Sequence, residues 1–141
     1  MALMHSDAIE VKRVRSKGRG VFARRLIRRG EVIERVPVIV LPAEAVGDGS
    51  ALWDYCFAWG RGTLALALGY GSLYNHSYRP NARYNDVGPQ AKAFQALRDI
   101  APGEEITINY NGEPSRRRKV WFDVVEETAR PERADPSARR G

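Results

Sequence analysis

The sequence contains few of the residues that form disulfides or bind metals. Its 141 residues include one cysteine, Cys56, and two histidines. A single cysteine excludes an internal disulfide and any zinc site built from several cysteines. His76 has no second histidine or cysteine near it, and one candidate ligand does not make a metal site. We therefore expect no metal, and we interpret Cys56, which lies among four aromatic residues, as a buried, inert thiol.

Long apolar segments are also absent. No run approaches the roughly 20 residues that a membrane-spanning helix needs. The first residues, MALMHSDAIEVKR, lack the basic-then-apolar order of a secretory signal. We predict a soluble, cytoplasmic protein that has no membrane contact.

The composition indicates one globular domain followed by a tail. The hydrophobic share is 43% and the charged share is 28%, which is ordinary for a globular protein, and a chain of this length fits a single core. After residue 125 the sequence EETARPERADPSARRG has no aromatic residue and cannot bury enough surface to offset its ordering entropy. We predict a single domain over residues 1–125 and a flexible charged tail over residues 126–141.

Basic residues outnumber acidic ones. The chain has 23 lysines and arginines against 17 acidic residues, so its formal net charge is +6. A moderate surplus of this kind is more often a solvated surface than a nucleic-acid site, and no nucleic-acid-binding motif accompanies it. We do not expect nucleic acid as the primary ligand.

Short alternating or β-branched segments predict a mainly β fold. The predicted strands are IEVKRV (Ile9–Val14), VFA (Val21–Ala23), VIERVPVIVLP (Val32–Pro42), a segment near Leu64–Leu68, and the segments ARYND, AKAFQALRDI and EITINY. Pro37 is tolerable in a strand only at an edge or a bend. Residues 42–59 have helical and then aromatic propensities, which favours one or two short helices there.

Two segments of the sequence resemble each other. RLIRRGEVI (Arg25–Ile33) and RDIAPGEEI (Arg98–Ile106) share arginine, isoleucine, glycine, glutamate and isoleucine at matching positions. In each, the glycine would close a tight turn in a left-handed conformation that a side chain resists. The same strand-turn-strand unit is therefore predicted to occur twice.

The segment GRGVFA (Gly18–Ala23) permits two interpretations. It fits the G-x-G-x-x-A pattern of a dinucleotide-binding turn, but that turn must open a long helix, and Gly30 follows too soon. A hairpin turn is favoured. The two glycines would still let a nucleotide-like ligand approach the backbone closely.

The segment YGSLYNHSYRPN (Tyr70–Asn81) concentrates hydrogen-bonding side chains in one loop. Its NHS triplet matches an N-glycosylation site, but no secretory signal accompanies it. A catalytic Ser-His pair is disfavoured because adjacent residues of an extended loop point apart. Taken alone, the loop is most simply a turn in which Asn75, Ser77 and Asn81 satisfy backbone groups.

Three motifs together resemble a SET domain, the fold of many protein lysine methyltransferases. They are KGRGVFA, YNHSYRPNARY and RDIAPGEEITINY, in that order, and the resemblance covers about Ile9 to Asn111. It implies a mainly β, β-clip-like fold of short twisted sheets with short helices. It also implies a C-terminal segment that is threaded in a knot-like arrangement beneath the loop, which Pro80 and Asn81 would shape for that passage.

The resemblance implies a cofactor, a substrate and a set of site residues. The cofactor is S-adenosylmethionine, and the substrate is a protein that presents a lysine. Tyr110 is implied as the catalytic residue, one that orients the amine rather than acting as a strong base. The candidate cofactor-binding residues are Lys17, Gly18, Arg19, Gly20, Asn75 and His76. The candidate substrate-channel residues are Tyr84, Ile108 and Trp121, although core packing explains Tyr84 and Trp121 equally well.

The chain departs from the SET pattern in ways that limit the resemblance. Ile108 and Asn109 precede Tyr110 where many members have phenylalanine and aspartate, so the number of methyl groups added is not predicted. The cysteine-rich zinc modules of many members are absent, and the chain resembles compact stand-alone members of bacterial or viral type, some of which form homodimers. The alternative is a catalytically silent SET-like module that binds a protein or nucleic acid through basic segments such as RRRK (Arg116–Lys119).

Overall fold

The computed structural model describes residues 3, 6–15 and 18–115, and this part of the chain is mainly β, as predicted. The strands are β1 (Ile9–Val14), β2 (Gly18–Ala23), β3 (Val32–Pro42), β4 (Cys56–Ala58), β5 (Thr63–Ala67), β6 (Asn75–His76), β7 (Ala82–Val87), β8 (Ala91–Ala96) and β9 (Glu105–Ile108). The helices are α1 (Ala43–Val46) and two 3-10 turns, Ala51–Tyr55 and Gly71–Leu73. The short helices expected over residues 42–59 are present, whereas β4 and β6 were not predicted.

The first sheet has the order β1-β2-β9-β6 and carries two of the three sequence motifs at its centre. β1 and β2 form an antiparallel hairpin, with Val14 opposite Gly18, so the hairpin interpretation of GRGVFA is confirmed. The dinucleotide-binding interpretation is wrong, because Gly18–Ala23 forms a strand and no helix follows it. β9 pairs with β2 in the antiparallel sense and with the two-residue strand β6 in the parallel sense.

The second sheet has the order β4-β5-β3-β8-β7, and β3 changes partner within it. Up to Pro37, β3 pairs with β8, and from Val38 onward it pairs with β5. Pro37 stands at this change of partner, where its missing N–H costs least. The expectation placed this proline at a bend or an edge, and the structure places it inside an interior strand, at the residue where one pairing ends and the other begins.

The two similar segments form one matched unit. Ile27 and Ile100 exchange both backbone hydrogen bonds, at 2.9 and 2.8 Å, and both side chains are fully buried. Gly30 and Gly103 each have a φ of 85°, which confirms the turns predicted from the repeat. In each copy the glutamate after the glycine accepts from the arginine six residues earlier and from a backbone N–H three residues earlier.

The core lies between the two sheets. Its fully buried members include Val21, Ile33, Phe94 and Ile106. No helix of the described residues is long and apolar enough to cross a membrane. The proposed domain end at residue 125 and the tail at 126–141 lie outside the described residues, as does the chain past 115 on which the threaded arrangement depends.

Asn81 connects the loop to β9. Its side-chain amide nitrogen donates to the Glu105 carbonyl at 2.8 Å and to a Glu104 carboxylate oxygen at 3.1 Å. Its side-chain oxygen accepts from the Thr107 N–H at 2.9 Å. Because Asn81 is 3% exposed, water cannot replace these bonds. The side chain therefore fixes the position of the β9 backbone relative to the loop.

Replacing Asn81 by alanine is expected to lower the free energy of unfolding by about 2–4 kcal/mol. The substitution leaves buried donors and acceptors on β9 unpaired, each of which costs about 1–3 kcal/mol. Urea unfolding of the variant measures the loss. Asn85→Ala, on the exposed face of β7, is the matched control and should change stability by less than about 0.5 kcal/mol. Equal stabilities for the two variants would contradict this role of Asn81.

Candidate functional site

A cleft opens where the β1–β2 hairpin meets the loop that precedes β7. It has a volume of about 170 Å³ and is lined by Gly18, Arg19, Asp54, Tyr55, Ser72, Leu73, Asn75 and Tyr110. Three of the six residues predicted to hold a cofactor, Gly18, Arg19 and Asn75, therefore line one cavity. The hairpin and the loop are far apart in sequence. β9 brings them together because it pairs with β2 of the hairpin and with β6 of the loop.

Gly20 lies next to Asn75, which lines this cleft. The Asn75 side-chain nitrogen donates to the Arg19 carbonyl at 2.8 Å and to a Glu105 carboxylate oxygen at 2.7 Å. A Cβ at Gly20 would lie 2.5 Å from that same carboxylate and 2.9 Å from the Asn75 nitrogen. Gly20 is required because the backbone and the two polar side chains approach so closely. Its role in the structure is to allow the Asn75–Glu105 contact beside the cleft.

A second cavity adjoins the first. It has a volume of about 90 Å³ and is lined by Asp54, Tyr55, Cys56, Phe57, Ser72, Tyr74 and Tyr110. Four residues line both cavities: Asp54, Tyr55, Ser72 and Tyr110. Tyr110 is therefore one of the residues that would face both a molecule in the first cavity and a group in the second.

Tyr110 is fixed at both its backbone and its hydroxyl group. Its hydroxyl donates to the Tyr74 carbonyl at 2.6 Å, and its N–H donates to His76 Nδ1 at 3.0 Å. The Tyr74 phenol in turn donates to a Glu34 carboxylate oxygen at 2.9 Å, in the core. Burial, reinforced by the Glu105 carboxylate, raises the pKa of Tyr110 far above its ordinary value. The phenol is therefore protonated at neutral pH, and toward a bound group its oxygen can act only as an acceptor.

His76 is buried beside Tyr110. It is 2% exposed, and its ring packs edge-on against Tyr78 and Tyr110, with centroid separations of 4.4 and 5.2 Å. The structure thus shows His76 supporting the Tyr110 backbone. Direct contact of His76 with a cofactor stays a prediction.

The predicted channel residues occupy different positions. The Tyr84 hydroxyl donates to the Tyr110 carbonyl at 3.3 Å, and the Tyr84 ring packs against Phe57 at a centroid distance of 5.0 Å. Ile108 is fully buried in the core two residues before Tyr110. Lys17 and Trp121 lie outside the described residues, as does the basic run at 116–119. The channel roles of Tyr84, Ile108 and Trp121 stay predictions.

Sequence reasoning missed the residues that complete the second cavity. Tyr55, Phe57, Tyr74 and Cys56 line it. Cys56 was expected to be buried, but it is only half-buried. Burial raises the pKa of the Cys56 thiol, which disfavours the reactive thiolate, and its inert character stays a prediction. The only signal in the sequence was the aromatic density of residues 53–59, which does not show which face meets Tyr110. Within the described residues, no cluster of three or more histidine, cysteine, aspartate or glutamate side chains could hold a metal.

Comparisons with known proteins agree on one family. A family model described as SET domain matches residues 18–111. The chain is 33% identical over 119 residues to a Schizosaccharomyces pombe protein named Histone-lysine N-methyltransferase, H3 lysine-37 specific, covering 82% of this chain and 77% of that protein. It is 31% identical over 91 residues to the Caenorhabditis elegans protein Histone-lysine N-methyltransferase Suv4-20, covering 60% of this chain and 31% of that protein.

A solved structure supports the same assignment. The crystal structure of a candidate histone methyltransferase from Plasmodium falciparum is similar to this chain, with a TM-score of 0.62 and 31% sequence identity. The similarity covers 74% of this chain and 98% of that one. The comparison of structures and the comparisons of sequence therefore indicate the same family.

The environment of Tyr84 predicts a pH dependence of stability. Burial, reinforced by the Asp86 carboxylate, raises the pKa of Tyr84 to about 12, whereas an unfolded tyrosine ionises near pH 10. The folded state therefore holds this proton more tightly, and the associated stability is complete below about pH 10 and is lost as the pH rises through about 12. Tyr84→Phe cannot ionise and should lose less stability over that interval, by at most about 3 kcal/mol.

Urea unfolding of the wild type and Tyr84→Phe at about pH 9 and about pH 11.5 measures this difference. The wild type should lose more stability between the two pH values than the variant does. Equal losses would show that the Tyr84 phenol ionises as readily in the folded state as in the unfolded chain.

Proposed function

The chain belongs to the SET-domain family, and we propose that it is a protein-lysine N-methyltransferase that uses S-adenosylmethionine. Its mainly β fold is the SET-domain fold that the motif order implies. The observation that carries the proposal is the meeting of two cavities at Tyr110. One cavity contains the family's glycine and asparagine motifs, and the other is a narrow space with aromatic walls.

The residues of the larger cleft suit the proposed cofactor. Gly18, Arg19, Asn75 and Tyr55 line it, and the Asn75 amide nitrogen already donates to Arg19 and Glu105, which leaves its side-chain oxygen for a ligand. An adenine and an amino-acid group both need paired donors and acceptors, and a flat ring can pack against adenine. When bound, the cofactor would supply a methyl group on a positively charged sulfur, activated for transfer to a nucleophile.

The smaller cavity suits a lysine side chain. Tyr74, Phe57 and Tyr110 give it aromatic walls, into which an aliphatic stem can be placed. The attacking amine must be neutral, and in water deprotonating a lysine at neutral pH costs about 4–5 kcal/mol. The aromatic part of the wall lowers that cost because it excludes the water that stabilises an ammonium group, whereas Asp54 in the same wall favours the charged amine.

Tyr110 has the properties of an orienting residue. Its proton is committed to the Tyr74 carbonyl at 2.6 Å, so its oxygen is an acceptor for an amine N–H or for the weak C–H donors of a methyl group. Its raised pKa argues against a role as general base. Holding the amine in line with the methyl group lowers the entropic part of the barrier.

The substrate is proposed at the level of its chemical class. The named relatives act on histone lysines, and we propose a protein lysine for this chain, with histones as a reasonable first test. Homodimer formation and a cytoplasmic location stay proposals that derive from the sequence alone.

Tyr110→Phe is expected to reduce methyl transfer by at least about 100-fold, as loss of one preorganised polar group at a reacting centre commonly does. The assay measures transfer of labelled methyl from S-adenosylmethionine to recombinant core histones and to a whole-cell lysate. Tyr70→Phe, a half-buried tyrosine outside both cavities, is the matched control and should retain activity within about threefold.

Both variants should keep the circular dichroism spectrum of the wild type. A wild-type protein that binds the cofactor but labels neither histones nor any lysate protein would contradict the proposed activity. Full activity in Tyr110→Phe would contradict the role given to that hydroxyl.

A further inference from the structure

Lys92 is a buried lysine that contacts Phe57, a residue in the wall of the smaller cavity. It lies on β8, an interior strand of the second sheet, and its side chain is 1% exposed. Lysine is almost never buried this deeply unless its charge has partners. The identity of those partners indicates what the residue does.

Three aromatic rings and one carboxylate surround the ammonium group. Lys92 Nζ lies 4.3 Å from the ring centroid of Phe57, 4.4 Å from that of Tyr84 and 5.2 Å from that of Trp59. The same nitrogen donates to an Asp86 carboxylate oxygen at 2.6 Å. These separations are those of cation–π contacts, which with the carboxylate favour the charged lysine and oppose the burial that lowers the pKa of Lys92. We refer to Phe57, Trp59 and Tyr84 as the aromatic box.

The aromatic box joins the two edges of the second sheet. Phe57 and Trp59 come from β4 and the residue after it, at one edge, whereas Tyr84 comes from β7, at the other. β4 has only three residues and pairs with β5 alone within the sheet. Backbone pairing therefore holds Phe57 weakly, and the ammonium group of Lys92 supplies a contact that spans from this edge to β7.

Two members of the box reach the candidate active site. Phe57 forms part of the wall of the smaller cavity, and Tyr84 donates to the carbonyl of Tyr110. A shift of either ring would alter the width of that cavity or the position of Tyr110. Lys92 does not line either cavity, so any effect on the reaction must pass through these rings.

We propose that Lys92 is a positioning residue, which holds Phe57 and Tyr84 so that the smaller cavity accepts and aligns the target lysine. This inference rests on the proposed function. Asp86 balances the charge of Lys92, so the box does not add an uncompensated positive charge beside the entering amine.

The first test is Lys92→Met, which keeps an unbranched side chain of similar length and removes the charge. We expect kcat/KM for the protein acceptor to fall about tenfold, consistent with loss of desolvated cation–π contacts. The dissociation constant for S-adenosylmethionine should stay within about twofold, because none of the three box residues lines the larger cleft. The acceptor is the histone or lysate protein that the wild type labels most strongly.

Lys12→Met is the matched control. Lys12 lies over the Phe22 ring at 4.7 Å, on an exposed strand position away from the smaller cavity. This variant should keep kcat/KM within about twofold. Near-ultraviolet circular dichroism, which reports the fixed packing of aromatic rings, should weaken in Lys92→Met and not in Lys12→Met.

A double-mutant cycle separates positioning from simple stabilisation. If Lys92 acts through Phe57, then Lys92→Met in a Phe57→Leu background should lower kcat/KM by less than about threefold. Lys92→Arg, whose guanidinium also stacks on aromatic rings, should retain kcat/KM within about threefold of the wild type. This last variant decides the question if Lys92→Met does not fold.

The outcomes are distinguishable. A wild type that transfers no methyl group contradicts the proposed function. An active wild type together with an unaffected, folded Lys92→Met overturns only the role of Lys92. Full additivity in the cycle, or a loss in folded Lys92→Arg as large as in Phe57→Leu, would also overturn it.

Discussion

The site depends on the way β9 is held between the β1–β2 hairpin and the loop. β9 pairs with β2 on one side and with the two residues of β6 on the other. Two asparagine side chains of the loop strengthen this pairing: Asn75 bonds to the Glu105 carboxylate, and Asn81 bonds to the β9 backbone. Because such bonds tolerate little displacement, they fix the position of the C-terminal end of β9 relative to the loop. Tyr110 lies two residues after that end.

The same constraint explains why residues with unremarkable chemistry form a site. A tyrosine, an asparagine and two glycines have no strong acid, base or nucleophile among them, and burial holds Tyr110 in its protonated form. The proposed reaction needs little more from the protein than alignment and the exclusion of water. In the proposed function, both would come from the cleft and the smaller aromatic-walled cavity, whose walls share Tyr110.

Much of the fold was accessible from the sequence because local patterns and the final structure agree. Ile9–Val14 and Val32–Pro42 were predicted with the observed limits, and the repeated arginine-to-isoleucine segments proved to pair with each other through Ile27 and Ile100. In these segments alternation and glycine positions determine the backbone directly. The strand β6 was not predicted because it has only two residues, which show no periodicity. These residues pair only with β9, which is distant in sequence.

The second cavity and the aromatic box could not be predicted for a related reason. Lys92 lies in AKAFQA, where an alternating polar residue normally faces water, and its burial follows only from contact between opposite edges of a curved sheet. Phe57 and Tyr55 lie in a segment whose local propensities favoured helix. Their approach to Tyr110 depends on long-range packing, which composition does not encode.

Calorimetric titration of the full chain with S-adenosylmethionine tests the central claim most directly. We predict saturable binding at one site per chain, weakened by Asn75→Ala, which removes a side chain that lines the cleft and bonds to Arg19 and Glu105. A folded wild-type protein that releases no heat and shows no thermal stabilisation at millimolar S-adenosylmethionine would contradict the assignment of the cleft.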